Sequence, residues 1–412
     1  FFRKEYPMQG FPIAREAAPN NKVDRAPFSA LPITRAANPL GTASREAAPT
    51  LFFARQAMAF FLRIFVATVV LLACALCGPV PAQAAPRPAI AFVHRLLPPE
   101  GERRTGLMDW VRSHDLARDI LESQRIATVV AAVPAENPLE LGNIAAMHPE
   151  VLITTSPRLY EATRALSRQY PDTVFFACTD EAVDGNISGY EARTYEAYYL
   201  AGLLAGALSE GVVGYLGNSP YLSDVARHRN ANAFTLGAQA ARPRIRVLFA
   251  ADGDATRQAQ AMIAAGADII TIERATPSLL QLMRDHAVRY IGSTERENDP
   301  LFLAAPAWNW GKAFGDLLAQ VRFGIWRPRN VSYGIREGVV SLSPLGPSVP
   351  TEVRQRLHEA EEALRRGASP FRGPVFDDRG QLRVSAGKNP DETTLRGMDW
   401  NVRGMERLPS GF

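Results

Sequence analysis

The sequence predicts an α/β protein built as two doubly wound, parallel-sheet lobes with a hinge between them and a C-terminal appendage. Three observations carry this reading. From residue 89 onward, short apolar runs rich in β-branched and aromatic residues alternate with helical patterns. The runs are nearly continuous in apolar residues, as expected of strands covered by helices on both faces. The series occurs twice, on either side of a long apolar helix over 195–208, and strand–helix alternation of this kind builds parallel sheets.

Each element follows from its local pattern. Ala89–His94 reads as the first strand and 105–123 as the helix after it. The runs 127–133, 151–156 and 173–178 read as further strands with helices between them. The helix at 195–208 carries small residues along one face and stops at Gly211. Strands at 211–217, 245–250, 268–273 and 290–293 repeat the rhythm in a second lobe. The rhythm then changes. Residues 331–342 read as one or two strands, 352–366 as a charged helix ending at Gly367, and 375–384 as a hairpin turned at Asp377-Asp378-Arg379-Gly380. A short helix with Met398-Asp399-Trp400 follows from Asp391. The expected division is 86–195 plus 307–327 for one lobe, 196–306 plus 328–345 for the other, and 346–412 for the appendage.

The front of the chain has a different character. Residues 1–56 are rich in Ala, Pro and Arg, and Arg15-Glu16-Ala17-Ala18-Pro19 recurs at 45–49; they read as a disordered upstream extension. Residues 57–85 read as an export signal. Met58 and Arg63 precede an apolar run over 64–76, Gly78-Pro79-Val80-Pro81 breaks it, and Ala82-Gln83-Ala84 supplies the small residues that signal peptidase requires. Two readings stand side by side: cleavage after Ala84 or Ala85 gives a free periplasmic protein, while Leu71-Leu72-Ala73-Cys74 resembles a lipobox that would anchor the chain at Cys74.

The whole chain carries 46 Lys+Arg and 42 Asp+Glu, a net charge of +4. Residues 1–85 hold nine basic and four acidic residues, leaving 37 and 38 and a net charge of −1 for the rest. The basicity belongs to the leader, so nothing supports nucleic-acid binding. Of the three cysteines only Cys178 lies beyond the leader, so 86–412 has no internal disulfide. There is no G-x-S-x-G, no phosphate-cradling Gly-rich loop and no H-E-x-x-H, and the six histidines are scattered. An enzyme is not expected, and neither is a metal or a cofactor.

Several segments share one likeness. They are Y-E-A-R-T-Y-E-A-Y-Y-L-A-G-L-L-A-G-A-L-S at 190–209, G-V-V-G-Y-L-G at 211–217, W-N-W-G at 308–311, G-I-R-E-G-V-V at 334–340, G-P-S-V-P at 346–350 and M-D-W at 398–400. Together they resemble the basic-membrane-protein (PnrA-like) family of solute-binding proteins, purine and nucleoside receptors of bacterial ABC importers, and within it a branch marked by W-N-W-G. The resemblance runs from about residue 89 to the C-terminus. It implies a type I periplasmic binding protein fold and a small-molecule ligand held in the cleft between lobes, beyond the carboxyl ends of the strands. It also implies an ABC permease and ATPase complex as partner, with the membrane reached only through that permease or a lipid anchor at Cys74. The alternative on the same fold is a periplasmic sensor serving a signalling partner.

The same resemblance points to site residues. Trp110 stands where the family stacks an aromatic on the ligand base; its other reading is a core residue. His114 and Asp115 match a His-Asp pair in relatives, although a helix surface also accounts for them. Asp180, after the strand 173–178, matches a carboxylate that grips a base edge, or caps a turn. Ser156 offers a hydroxyl or a cap. Tyr190, Arg193 and Tyr195 surround a lobe crossing, where Arg193 binds ligand or forms a hinge ion pair. Glu295 replaces the family's acidic loop residue. Trp308, Asn309 and Trp310 are ligand contacts or hinge seals, and Asn309 stands where nucleoside receptors hold ribose with a lysine, which favours a base over a nucleoside. The loop Ala251-Asp252-Gly253-Asp254 lacks the second aromatic of the family's sandwich.

The exported protein is expected to begin at Ala85 or Pro86 and to be free in solution. Intact mass spectrometry checks this, and a lipid-modified terminus at Cys74 is the result that contradicts it.

Overall fold

The computed structural model describes residues 88–94, 106–134, 137–181, 183, 185–219, 222–292 and 299–409. All of them belong to one compact unit, Ala84–Phe412. The leader, the lipobox and residues 95–105 and 293–298 lie outside the described residues. Among the described residues, no helix is long and apolar enough to cross a membrane.

Two six-stranded sheets form the architecture. The first contains β1 (Ala89–His94), β2 (Thr128–Pro134), β3 (Val151–Thr154), β4 (Val174–Cys178), β5 (Ile187–Ala192) and β12 (Asn330–Tyr333), in the order β12-β5-β4-β3-β1-β2. The second contains β6 (Val212–Leu216), β7 (Arg246–Ala250), β8 (Ile269–Ile272), β9 (Arg289–Ile291), β10 (Phe302–Ala304) and β16 (Met405–Arg407), in the order β10-β9-β8-β6-β7-β16. Every neighbouring pair in both sheets is parallel. This is the type I periplasmic binding protein arrangement.

The helices account for the apolar runs. α1 (Gly106–Ser123) and α8 (Trp310–Arg322) cover one face of the first sheet, burying Ile90, Phe92, Ile153 and Phe176. α2 (Pro138–Ala145) and α3 (Tyr160–Ser167) cover the other, burying Ala91, Val93, Leu152 and Phe175. Successive strand residues point to opposite faces, so both faces being covered requires the unbroken apolar runs. In the second lobe, α4 (Tyr195–Leu208) and α5 (Asp224–Ala241) bury Val213, Tyr215, Val247 and Phe249. On the opposite face, α6 (Ala255–Ala264) and α7 (Pro277–Asp285) bury Leu216, Leu248, Ile270 and Ile272. The small residues of α4 have a specific cause: a methyl group at Gly202 would run into the backbone of Phe234 on α5, and one at Gly237 into that of Tyr199.

The expected boundaries change in two places. Residues 328–345, expected in the second lobe, divide between the two. β12 extends the first sheet beside β5, whereas β13 (Val340–Leu342) pairs antiparallel with β11 (Pro306–Trp308). The turn at 334–338 separates the two strands and forms a lobe crossing. The appendage is also less separate than expected. α9 (Thr351–Arg365) contributes Leu357 and Leu364 to the second lobe's core. The hairpin of β14 (Val375–Phe376) and β15 (Leu382–Val384) forms as predicted. After α10 (Glu392–Arg396), Asn232 of α5 donates from Nδ2 to the Trp400 carbonyl at 2.7 Å and accepts from the Val402 amide at 2.9 Å. β16 then closes the sheet edge beside β7.

The chain passes between lobes three times: between β5 and α4, between β10 and α8, and between β12 and β13. Arg193 joins the first and third passages. Its Nε donates to Glu196 at 2.7 Å, Nη2 to Glu337 at 2.6 Å, and Nη1 to the Ser332 carbonyl. Glu196 also accepts from the Ile335 amide at 2.7 Å, and Glu337 from the Gly334 amide at 2.7 Å. Burial works against the Arg193 charge, but Glu196 and Glu337 outweigh it and hold the guanidinium above its ordinary pKa. Burial alone would raise Glu337; the Gly334 amide and Arg193 prevail and lower it. Trp308 of the second passage donates from Nε1 to Thr194 Oγ1 at 3.2 Å.

A second buried carboxylate follows β8. Glu273 accepts from the Tyr215 hydroxyl at 2.6 Å. Burial pushes its pKa up to about 7 from the ordinary 4.5, against the opposing effects of Tyr215, Arg227, the Ser219 backbone and Asn230.

Both buried sites are testable. Arg193→Ala strands Glu196 in a largely dry site and should destabilise the protein by about 3 kcal/mol, the low end for a broken buried pair because Arg193 keeps some exposure. Urea unfolding measures this, and a loss below ~1 kcal/mol would contradict it. For Glu273 the folded protein binds the proton more tightly than the unfolded chain. The stability it contributes is therefore full below about 4.5 and is lost as pH rises through about 7. Thermal melting across that range should show wild type losing stability relative to Glu273→Gln; parallel curves for the two would contradict this.

Candidate functional site

A cavity of about 260 Å³ opens between the lobes at the carboxyl ends of the first sheet. The first lobe lines it with Trp110, Cys178, Thr179, Asp180, Glu181 and Glu191. The second lobe faces these with Leu222, Ser223, Ala226, Arg229 and Asn230, and Thr194 and Tyr195 lie at the hinge side. The second-lobe residues occupy one face at the start of α5, following the i, i+3, i+4 spacing of a helix. Ser223 caps that helix, accepting from the Ala226 amide at 3.2 Å.

Trp110 is fixed from behind. Its Nε1 donates to the Thr155 carbonyl at 2.8 Å. Its ring meets Trp308 and Trp310 edge-on, with centroids 5.6 and 5.4 Å apart. The ring lines the cavity and is half-buried: it packs on the core and also presents surface to the cleft.

His114, Tyr190 and Trp310 come together with it, but as core. All three are fully buried. His114 stacks on Trp310 with centroids 4.9 Å apart, lies 2.8 Å through Nδ1 from the Trp110 carbonyl, and lies 3.2 Å through Nε2 from the Tyr190 hydroxyl. Tyr190 donates to the Thr154 carbonyl at 3.1 Å. This packing corrects the expectation that the three reach ligand: they support Trp110 and present no surface to the cleft.

The remaining expected residues separate by role. Asp115 pairs with buried His94 at 3.3 Å and with Arg118 at 3.1 Å, away from the lining. Burial lowers the His94 pKa, with Asp115 opposing and Arg118 reinforcing the shift. Ser156 is fully buried at the cap of a short 3-10 turn over Pro157–Leu159. Arg193 is committed to the hinge, as its ion-pair reading anticipated. Asn309 caps α8, accepting from the Lys312 amide at 3.4 Å, and Trp308 seals the hinge. Glu295 lies outside the described residues. Asp180 and Tyr195 do line the cleft. Tyr195 packs its ring on Phe371, and burial followed by the neighbouring Glu196 pushes its hydroxyl pKa up.

The loop carrying Asp180 is held from two directions. Asn330 of β12 donates from Nδ2 to the Glu181 carbonyl at 2.6 Å, and Arg396 of the appendage donates to the Asp180 carbonyl at 2.6 Å. The sequence reading missed Glu191 and Arg229. Glu191 sits on β5 and Arg229 on α5, with their charged atoms 4.0 Å apart. Burial raises the Glu191 pKa; Arg229 opposes and Asp180 adds to the rise. The signal that would have found Arg229 is the polar face of Ser223, Ala226, Arg229 and Asn230 at the opening of an otherwise apolar helix. Among the described residues, the cleft lining therefore combines the rings of Trp110 and Tyr195 with three carboxylates and one guanidinium: a lining suited to a flat ring with N–H groups and unsuited to an anion.

The comparisons agree with this geometry. The family described as ABC transporter substrate-binding protein, PnrA-like, matches residues 135–368, more than half of the chain. A purine-binding protein of Brucella abortus (strain 2308) is 29% identical over 324 residues, covering 74% of this chain and 91% of that protein. A protein of Haloferax volcanii, provisionally named an ABC transporter glucose-binding protein, is 28% identical over 277 residues, covering 63% of this chain and 69% of its own. Among solved structures, an ABC transporter solute-binding protein from Conexibacter woesei superposes with a TM-score of 0.55 at 18% identity, covering 68% of this chain and 96% of that one. With two parallel-sheet lobes, a lined cleft and a family match across both, the chain belongs to the PnrA-like family of ABC transporter substrate-binding proteins.

Proposed function

We propose that this substrate-binding protein captures a small nitrogen heterocycle, a purine base or a nucleoside-like compound, in the periplasm and delivers it to an ABC permease and its ATPase. The observation that carries the reading is Trp110, an aromatic face at the cleft whose N–H is already committed to the Thr155 carbonyl. An aromatic face covers a flat heterocycle well. The carboxylates of Asp180, Glu181 and Glu191 beside it accept N–H donors and repel phosphates. The relative from Brucella abortus that is named purine-binding supports the same class.

Binding works through closure. Ligand touching both lobes favours the closed form over the open one, and only a difference in affinity between the two moves that equilibrium. The closed form is what the permease receives.

Isothermal titration with hypoxanthine, adenine, adenosine and glucose tests the assignment. A base or nucleoside should bind more tightly than glucose; glucose binding alone would overturn the heterocycle reading. Stacking on one aromatic is worth on the order of 1–3 kcal/mol, so Trp110→Ala should weaken the base by roughly ten- to a hundredfold. Trp110→Phe keeps a face while losing the bond to Thr155, and should retain most of the affinity.

A further inference from the structure

The pair formed by Glu191 and Arg229 is the one place among the described cleft residues where charged groups of opposite sign face each other from different lobes. Glu191 comes from the first sheet and Arg229 from α5 of the second lobe, and both line the cavity. Their side chains are only 21% and 13% exposed. The 4.0 Å between Arg229 Nη1 and Glu191 Oε2 exceeds hydrogen-bonding distance. Two opposite charges with little exposure are thus close enough to attract, yet too far apart to hydrogen-bond to each other. The Ser332 side chain supplies one hydrogen bond to Glu191, but a carboxylate offers about four acceptor positions. Asp180 on the same lobe and Glu392 on the appendage act on Glu191 as like charges, so Arg229 is the charge of opposite sign that faces it.

We propose that Glu191 and Arg229 together read a single edge of the ligand, one that carries a hydrogen-bond donor next to an acceptor. Glu191 accepts from the ring N–H, and Arg229 donates to the adjoining carbonyl or ring nitrogen. A lactam edge, as in a 6-oxopurine, has this pattern. The two protein groups are complementary to it in charge as well as in direction, and bonds to ionised partners are the stronger kind. Trp110 would then fix the plane of the ring while the pair fixes its rotation within that plane. Because each partner belongs to a different lobe, the edge is read in full only when the lobes are closed, so recognition and closure are one event. This inference rests on the heterocycle reading given above.

An inter-lobe ion pair that merely latches the lobes makes a different prediction. A latch shifts the closure equilibrium, and so changes the affinity for every ligand by the same factor. An edge reader changes the ratio between ligands. The experiment is titration calorimetry with hypoxanthine and its 1-, 7- and 9-methyl derivatives, each of which lacks or blocks one edge. It is carried out on wild type, Glu191→Ala, Glu191→Gln and Arg229→Met, with thermal melting as the check on folding. In wild type, methylation at one position should cost roughly ten- to a hundredfold in affinity, as expected for losing a bond to a charged group. In Glu191→Ala that penalty should shrink to about threefold or less, because the partner of the edge is gone. Arg229→Met should weaken hypoxanthine and narrow the same ratio, and Glu191→Gln should fall between wild type and the alanine variant. Methyl penalties identical in wild type and all variants, with only a uniform shift in affinity, overturn the inference and leave a latch. Wild-type protein that binds none of the bases overturns the heterocycle reading and this inference with it.

Discussion

Arg193 is the interaction on which the geometry of the molecule depends. It sits where the first and third passages between lobes run side by side, and it binds a carboxylate from each. Glu196 opens α4, the helix that founds the second lobe, while Glu337 lies in the turn that leaves the first sheet through β12. A guanidinium has five N–H donors in a rigid plane, so one residue can tie three backbone segments at fixed angles. The charges are mostly withdrawn from water, so separating them is costly. Gly334 completes the arrangement, since a side chain there would occupy the space of the Arg193 guanidinium and the Glu196 carboxylate. In the proposed closure the lobes would turn about this node rather than through it, as hinge motions concentrate in a few residues at the ends of elements.

The pivot in turn decides what can face what. α4 leaves the node and lies against α5 with no side chain at Gly202 or Gly237 to separate the backbones. That contact brings the start of α5 to the carboxyl end of the first sheet, where β4 and β5 finish. Arg229 and Glu191 are opposed for this reason, although 38 positions separate them in the chain. The amino end of α5 also points partial positive charge at the cleft, beside a rim otherwise dominated by carboxylates. The appendage adds a tie from the far side. It is built into the second lobe by Asn232 and by β16, yet Arg396 reaches the Asp180 backbone of the first.

Much of this was legible in the sequence because two-sided burial leaves a strong mark. β1, β6, β7 and the helix at 195–208 read clearly, since few other arrangements of a chain call for unbroken apolar runs and small-residue faces. β5 carries no such mark. Ile187-Ser-Gly-Tyr-Glu-Ala mixes polar and apolar residues because its end lines the cleft, and so it lacks the pattern that betrays its neighbours. β16 pairs with a strand more than 150 positions earlier, and three residues of local sequence carry no trace of that. Within the cleft, residue type alone did not tell a lining aromatic from a supporting one. Trp110, Trp310, Tyr190 and His114 have similar chemistry, and only the packing shows that three of them stand behind the first.

That layering bears on affinity. A tryptophan free to rotate would lose conformational freedom on stacking against a ligand. Trp110 has already lost it: Thr155 holds the indole N–H, and Trp308 and Trp310 meet its ring edge-on. Ordering a side chain at an interface costs about 0.5–1.5 kcal/mol, and here folding supplies the order before ligand arrives. In the proposed stacking role, the residues with no exposed surface would act on binding through the one that has it. The same logic extends to the Asp180 loop, which Asn330 and Arg396 hold by its carbonyls, leaving the carboxylate to the cleft. A first lobe that is preorganised in both its aromatic and its acidic parts leaves the second lobe to supply what the proposed closure would add, and its charged contribution among the described cleft residues is Arg229.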